Sequence, residues 1–66
     1  MKVIVNGEPR ELPDGASVAE VVATVTAAAS GVAAALNDEV VRRAEWEATA
    51  LRESDRLEVL TAVQGG

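Results

Sequence analysis

Only one stretch of this chain carries a sustained helical pattern, and that limits the possible folds more than any other feature. In "SVAEVVATVTAAASG" (17–31), Ser17 and Glu20 stand at the spacing of a capping box, where each side chain satisfies a backbone N–H at a helix start. Val18, Val21, Val22 and Val25 recur at i, i+3, i+4 and i+7, which makes one apolar stripe. Valine and threonine are mediocre helix formers, so pattern and propensity compete. The capping box and the alanines decide for a helix. Ser30-Gly31 is expected to stop it, with Gly31 suited to a left-handed cap. A single helix can cover one face of one sheet and no more.

The rest of the chain reads as strands. "KVIVN" (2–6) is a β-branched run, and Asn6-Gly7 is a hairpin signal because a type I′ turn needs positive φ. "EPRELP" (8–13) returns as a second strand, with Pro9 tolerated only at a strand start or an edge. "PDG" (13–15) turns the chain into the helix. Beyond the helix, "VAAALN" (32–37) and "EVVRR" (39–43) read as strands joined by a turn at Asn37-Asp38. "AEWEATAL" (44–51) is ambiguous, with room for a helical turn around Trp46. "ESD" (53–55) is a turn, and "RLEVLTAV" (56–63) is the final strand. The order β-β-α-β-β-β predicts an α+β domain, a mixed sheet of four to five strands with one main helix on one face. The valine stripe should rest on Val3 and Val5, joined by Leu36, Leu57 and Val59, with the first and last strands neighbours at the centre.

Sixty-six residues make one domain, 1–66, with a small core. The chain has neither cysteine nor histidine. That removes disulfides, thiolate metal sites, thiol nucleophiles and the commonest general base. Eleven acids against six bases give a net charge of −5, which argues against nucleic acid as a partner. No apolar run approaches the roughly 20 residues that cross a bilayer, and "MKVIVNGE" is too short for a signal peptide. A cytoplasmic protein, monomeric when free, is expected.

The chain ends in "TAVQGG" (61–66). Two glycines add nothing to a core and lose more freedom on ordering than any other residue. Such an end is either without function or is itself the working part, and a flexible tail over 64–66 is expected.

Length, element order, "ALNDEVVRRAEW" (35–46) and the terminal Gly-Gly after "DRLEVLTAVQ" together resemble the sulfur-carrier family of thiamine biosynthesis, ThiS, whose fold is the ubiquitin-like β-grasp. The resemblance covers essentially the whole chain and implies a specific chemistry. A ThiF-like adenylating enzyme uses ATP to activate the carboxylate of the last glycine. Sulfur from a donor such as a cysteine desulfurase then displaces AMP and leaves a thiocarboxylate (1-thioglycine). A ThiG-like thiazole synthase takes that sulfur into the thiazole ring. Carried onto this chain, the reactive group is the carboxylate of Gly66, with Gly65 as the second residue of the tail motif. Gln64 stands where the family also has small or apolar residues. The resemblance implies no permanently bound cofactor, no metal and no catalytic residue. Two relatives in chemistry remain open: the small subunit of molybdopterin synthase, and a ubiquitin-like modifier joined to lysines, for which Lys2 is the chain's only lysine.

Ile4 and Leu60 fall out of phase with the core residues of their strands, so both should emerge on the uncovered sheet face. A joint patch there would make them partner-docking candidates. Trp46 reads as a packing anchor, Arg42-Arg43 as a solvated strand end, and Glu45 and Glu47 as surface charge.

Overall fold

A computed structural model describes residues 1–27 and 30–61. Strands β1 (Lys2–Val5) and β2 (Glu8–Glu11) form the first hairpin, followed by α1 (Val18–Val25). Then come β3 (Val32–Leu36), β4 (Glu39–Val41), a 3-10 turn at Arg43–Glu45, and β5 (Arg56–Thr61). The sheet order is β2-β1-β5-β3-β4, so β5 is the middle strand and β1 lies parallel beside it. This is the five-stranded version of the expected mixed sheet.

Local chemistry sets the element ends. Ser17 Oγ accepts from the Glu20 amide and Glu20 Oε1 accepts from the Ser17 amide, both at 3.2 Å, so the capping box is complete. Both hairpin turns place their two central residues at positive φ: Asn6 (51°) with Gly7 (83°), and Asn37 (51°) with Asp38 (73°). The helix stops earlier than the sequence suggests. Thr26 is its C-cap, with extended backbone at φ −148° and ψ 147°. The β-branched pair Val25-Thr26 favours that extended form. The Thr24 hydroxyl also donates back to the Val21 carbonyl at 2.7 Å, a bond of the kind that weakens a helix. Gly31 does adopt φ +73°, but it leads into β3 rather than capping α1.

The core lies between α1 and one sheet face. Val18, Val21 and Val22 of the stripe are buried against Val3, Val5, Ala34, Leu57 and Val59, while Val25 and Leu36 pack at the margin. Trp46 and Leu51 close the remaining side. The Trp46 Nε1–H donates to the Val41 carbonyl at 2.8 Å, which ties the segment after β4 to that strand. Trp46 is therefore the packing anchor its sequence context suggests. The 44–51 segment is strapped to the helix start by Val18 N–H to Thr49 O (2.9 Å) and Leu51 N–H to Ala16 O (2.8 Å).

The Met1 ammonium is part of the fold. It donates to the Leu12 carbonyl at 2.7 Å and lies 3.2 Å from Glu11 and 3.6 Å from Asp14. The hydrogen bond to the Glu11 carboxylate raises its pKa above the usual 8.0, against the opposing effect of partial desolvation; the charges of Glu11, Asp14 and Glu53 add to the rise. A raised pKa means the contribution is full below the unfolded-chain value and is lost as pH climbs through the folded one. The carboxylate partners are exposed, so the effect is small. The urea midpoint should fall slightly above about pH 8, and an Nα-acetylated chain should lose that slope. An identical pH dependence in the two proteins would contradict this role.

Candidate functional site: the end of the last strand and the open sheet face

The middle strand is also the one that leads to the C-terminus. β5 is held on one side by β3, with Val32 opposite Thr61 and Leu36 opposite Leu57, and at its start by β1, with Ile4 opposite Arg56 and Val5 opposite Leu57. Side-chain contacts fix that start. Asn37 Oδ1 accepts from the Arg56 amide and its Nδ2 donates to Asp55, both at 3.0 Å, and Arg56 pairs with Asp38 at 3.3 Å. The middle strand is thus paired along its length by β3 and at its start by β1. Gln64, Gly65 and Gly66 lie outside the described residues, as does the expectation of a flexible tail.

The sheet face away from α1 carries the predicted docking residues. Leu60 is 65% exposed and Ile4 is partly exposed, as their parity requires. They do not form a joint patch. Ile4 stands beside Arg56, whereas Leu60 is four residues further along β5, about 13 Å at 3.3 Å per residue. Glu58 projects between them on the same face. The physical reason is the parallel register, which brings β1 alongside only the first residues of β5.

Leu60 instead has other company. It is directly opposite Ala33, and Ala35, two residues along β3 on the same face, is opposite Val40. Val40 is 79% exposed. Leu60, Ala33, Ala35 and Val40 therefore make one apolar surface, next to the exit of the C-terminal segment. Sequence reasoning missed Val40, although the signal was present. Val41 is the β4 residue that turns towards the core, so its neighbour must face out.

The other singled-out residues fall elsewhere. β4 ends at Val41, so Arg42 and Arg43 lie beyond the strand rather than at its end. The Arg43 guanidinium lies over the Trp46 ring, 5.4 Å from its centroid. Together with Ala19, Val22, Ala23 and Glu47 they line an open groove of about 530 Å³ on the helix side, remote from the apolar surface. Glu45 and Glu47 are exposed.

The sequence profile of the ThiS family matches residues 3–66, nearly the whole chain and its terminal glycines. The chain belongs to the ThiS family. The family comprises small ubiquitin-like sulfur carriers of thiamine biosynthesis, not catalysts. The fold agrees. A crystal structure of a thiamine biosynthesis protein, ThiS, from Geobacter metallireducens is 32% identical, with a TM-score of 0.82 over 100% of both chains. An NMR solution structure of a thiamine biosynthesis protein from the same organism is 30% identical, with a TM-score of 0.81 over 100% of this chain and 88% of the other. No curated protein sequence matches significantly.

Proposed function

We propose that this chain carries sulfur on its C-terminal glycine for thiazole formation in thiamine biosynthesis. The observation that carries the reading is the family match running through residue 66, Gly65 and Gly66 included. A carboxylate resists sulfur nucleophiles until its oxygen becomes part of a good leaving group. Attack of the Gly66 carboxylate on the α-phosphorus of ATP, with release of pyrophosphate, supplies that group. Hydrosulfide supplied by the sulfur donor then adds at the carbonyl carbon and AMP departs with the C–O bonding pair, leaving the thiocarboxylate. The adenylating partner supplies Mg²⁺ and positive charge for the phosphates, so the carrier needs no base or metal of its own. The setting is the cytoplasm, and among the described residues no helix is long and apolar enough to cross a membrane.

The test is pyrophosphate release by the source organism's adenylating enzyme with ATP, with and without the carrier. Turnover that depends on the carrier supports the reading. An enzyme that is active on another carrier and ignores this one overturns it.

The docking face is Leu60 with its neighbours on β3 and β4, and Ile4 forms a separate contact nearer the start of β5. Leu60→Glu should leave stability within about 0.5 kcal/mol, since the side chain stays in solvent. It should weaken the complex with the adenylating enzyme about tenfold or more by placing a charge in an apolar contact. Unchanged affinity, measured by calorimetry, would remove Leu60 from the interface.

A further inference from the structure

We infer that the β1-facing edge of β5, from Val59 onwards, is a strand-pairing site for an extended segment of the adenylating enzyme. This rests on the reading of the chain as that enzyme's substrate. The backbone groups of β5 alternate sides. Leu57 accepts from the Asn6 amide at 2.9 Å and Val59 donates to Asn6 Oδ1 at 2.8 Å, so odd-numbered residues face β1. Arg56 accepts from the Asn37 amide at 2.8 Å on the opposite side, so even-numbered residues face β3.

β1 ends at Val5, and the chain turns away at Asn6-Gly7 with positive φ. The Asn6 side chain takes the Val59 N–H and so serves as the last rung of that ladder. β5 nevertheless runs on to Thr61. The Val59 carbonyl and the Thr61 N–H therefore face a side where no described strand lies, while β3 holds the other edge through Thr61. An open edge of this kind is a template for another backbone. Strand addition is a common way to grip an extended peptide, with main-chain hydrogen bonds giving affinity.

Length says which partner fits. Five residues separate Thr61 from Gly66, at most about 18 Å of extended chain. An enzyme that holds the Gly66 carboxylate at its nucleotide must bring its own chain within that distance of Thr61. Pairing along this edge would extend the central strand into the enzyme and aim the terminal carboxylate, with Leu60 on the adjoining face.

Thr61→Pro removes the outward N–H while keeping a strand-compatible φ, and Thr61→Ala keeps the N–H. Both should fold, because the Thr61 amide does not face β3; matching melting temperatures check this. Thr61→Pro should bind the source organism's adenylating enzyme about 5- to 10-fold more weakly than Thr61→Ala, the loss of one good hydrogen bond. In wild type, amide exchange at Thr61 should be fast in the free protein and slowed in the complex, with Leu60 protected in both. Equal affinities of the two variants, or fast Thr61 exchange in the complex, would overturn the pairing and leave the carrier reading intact. If wild type does not bind the enzyme at all, the reading and the pairing fall together.

Discussion

Removing Gly66 should leave the domain folded and stop its activation. Gly66 has no side chain, and the described core runs only from Val3 to Val59, so the melting temperature should stay within error of wild type. Activation is different in kind. One residue of extended chain spans about 3.3–3.6 Å. Shortening the tail by one residue withdraws the carboxylate by that much from the α-phosphorus it must attack. Misplacement by about 1 Å can cost a reaction on the order of a hundredfold, so loss of carrier-dependent pyrophosphate release should be complete in practice. Retained activation in the truncated chain would show that the enzyme reads the tail without regard to its length. Unfolding of the truncated chain would show that the end is structural.

The second large effect is on stability. Leu57→Ala should cost about 3 kcal/mol, within the range of roughly 2–5 for a buried leucine. Leu57 is 0% exposed on the middle strand, with Val5 on one side and Leu36 on the other. A domain of 66 residues has a total stability of only about 3–10 kcal/mol, so the variant should lose from about a third to nearly all of it. Leu60→Ala, three positions later on the same strand, should change stability by no more than about 0.5 kcal/mol. Urea denaturation of the pair measures the contrast directly. Equal losses would mean that the faces of β5 are wrongly assigned.

How much of this was legible before the structure depends on how local each determinant is. The capping box of Ser17 and Glu20, the Asn6-Gly7 turn and the valine stripe act within a few residues, and each is present as its spacing implies. The outward direction of Leu60 also followed, because alternation along one strand is a local rule. The helix end was misread because alanines at 27–29 promise continuation. Val25, Thr26 and the Thr24 hydroxyl decide earlier, and their competing preferences are a matter of small energies. The separation of Ile4 from Leu60 was not readable. It depends on the register between strands more than fifty residues apart in sequence, set by contacts such as Ile4 N–H to Asp55 O at 2.9 Å and Ser54 N–H to Lys2 O at 2.7 Å. The same distance in sequence hid the role of Asn6. Its side chain is an ordinary turn residue in the sequence and a rung of the β1–β5 ladder in the fold.

The central claim is that sulfur rides on the carboxylate of Gly66. Intact-protein mass spectrometry after incubation with the source organism's adenylating enzyme, ATP and a sulfur source addresses it most directly. The account predicts that the full-length chain gains the mass difference between sulfur and oxygen, with fragmentation placing the change on Gly66. A chain recovered only as conjugates to lysines of other proteins, and never as the thiocarboxylate, would contradict it.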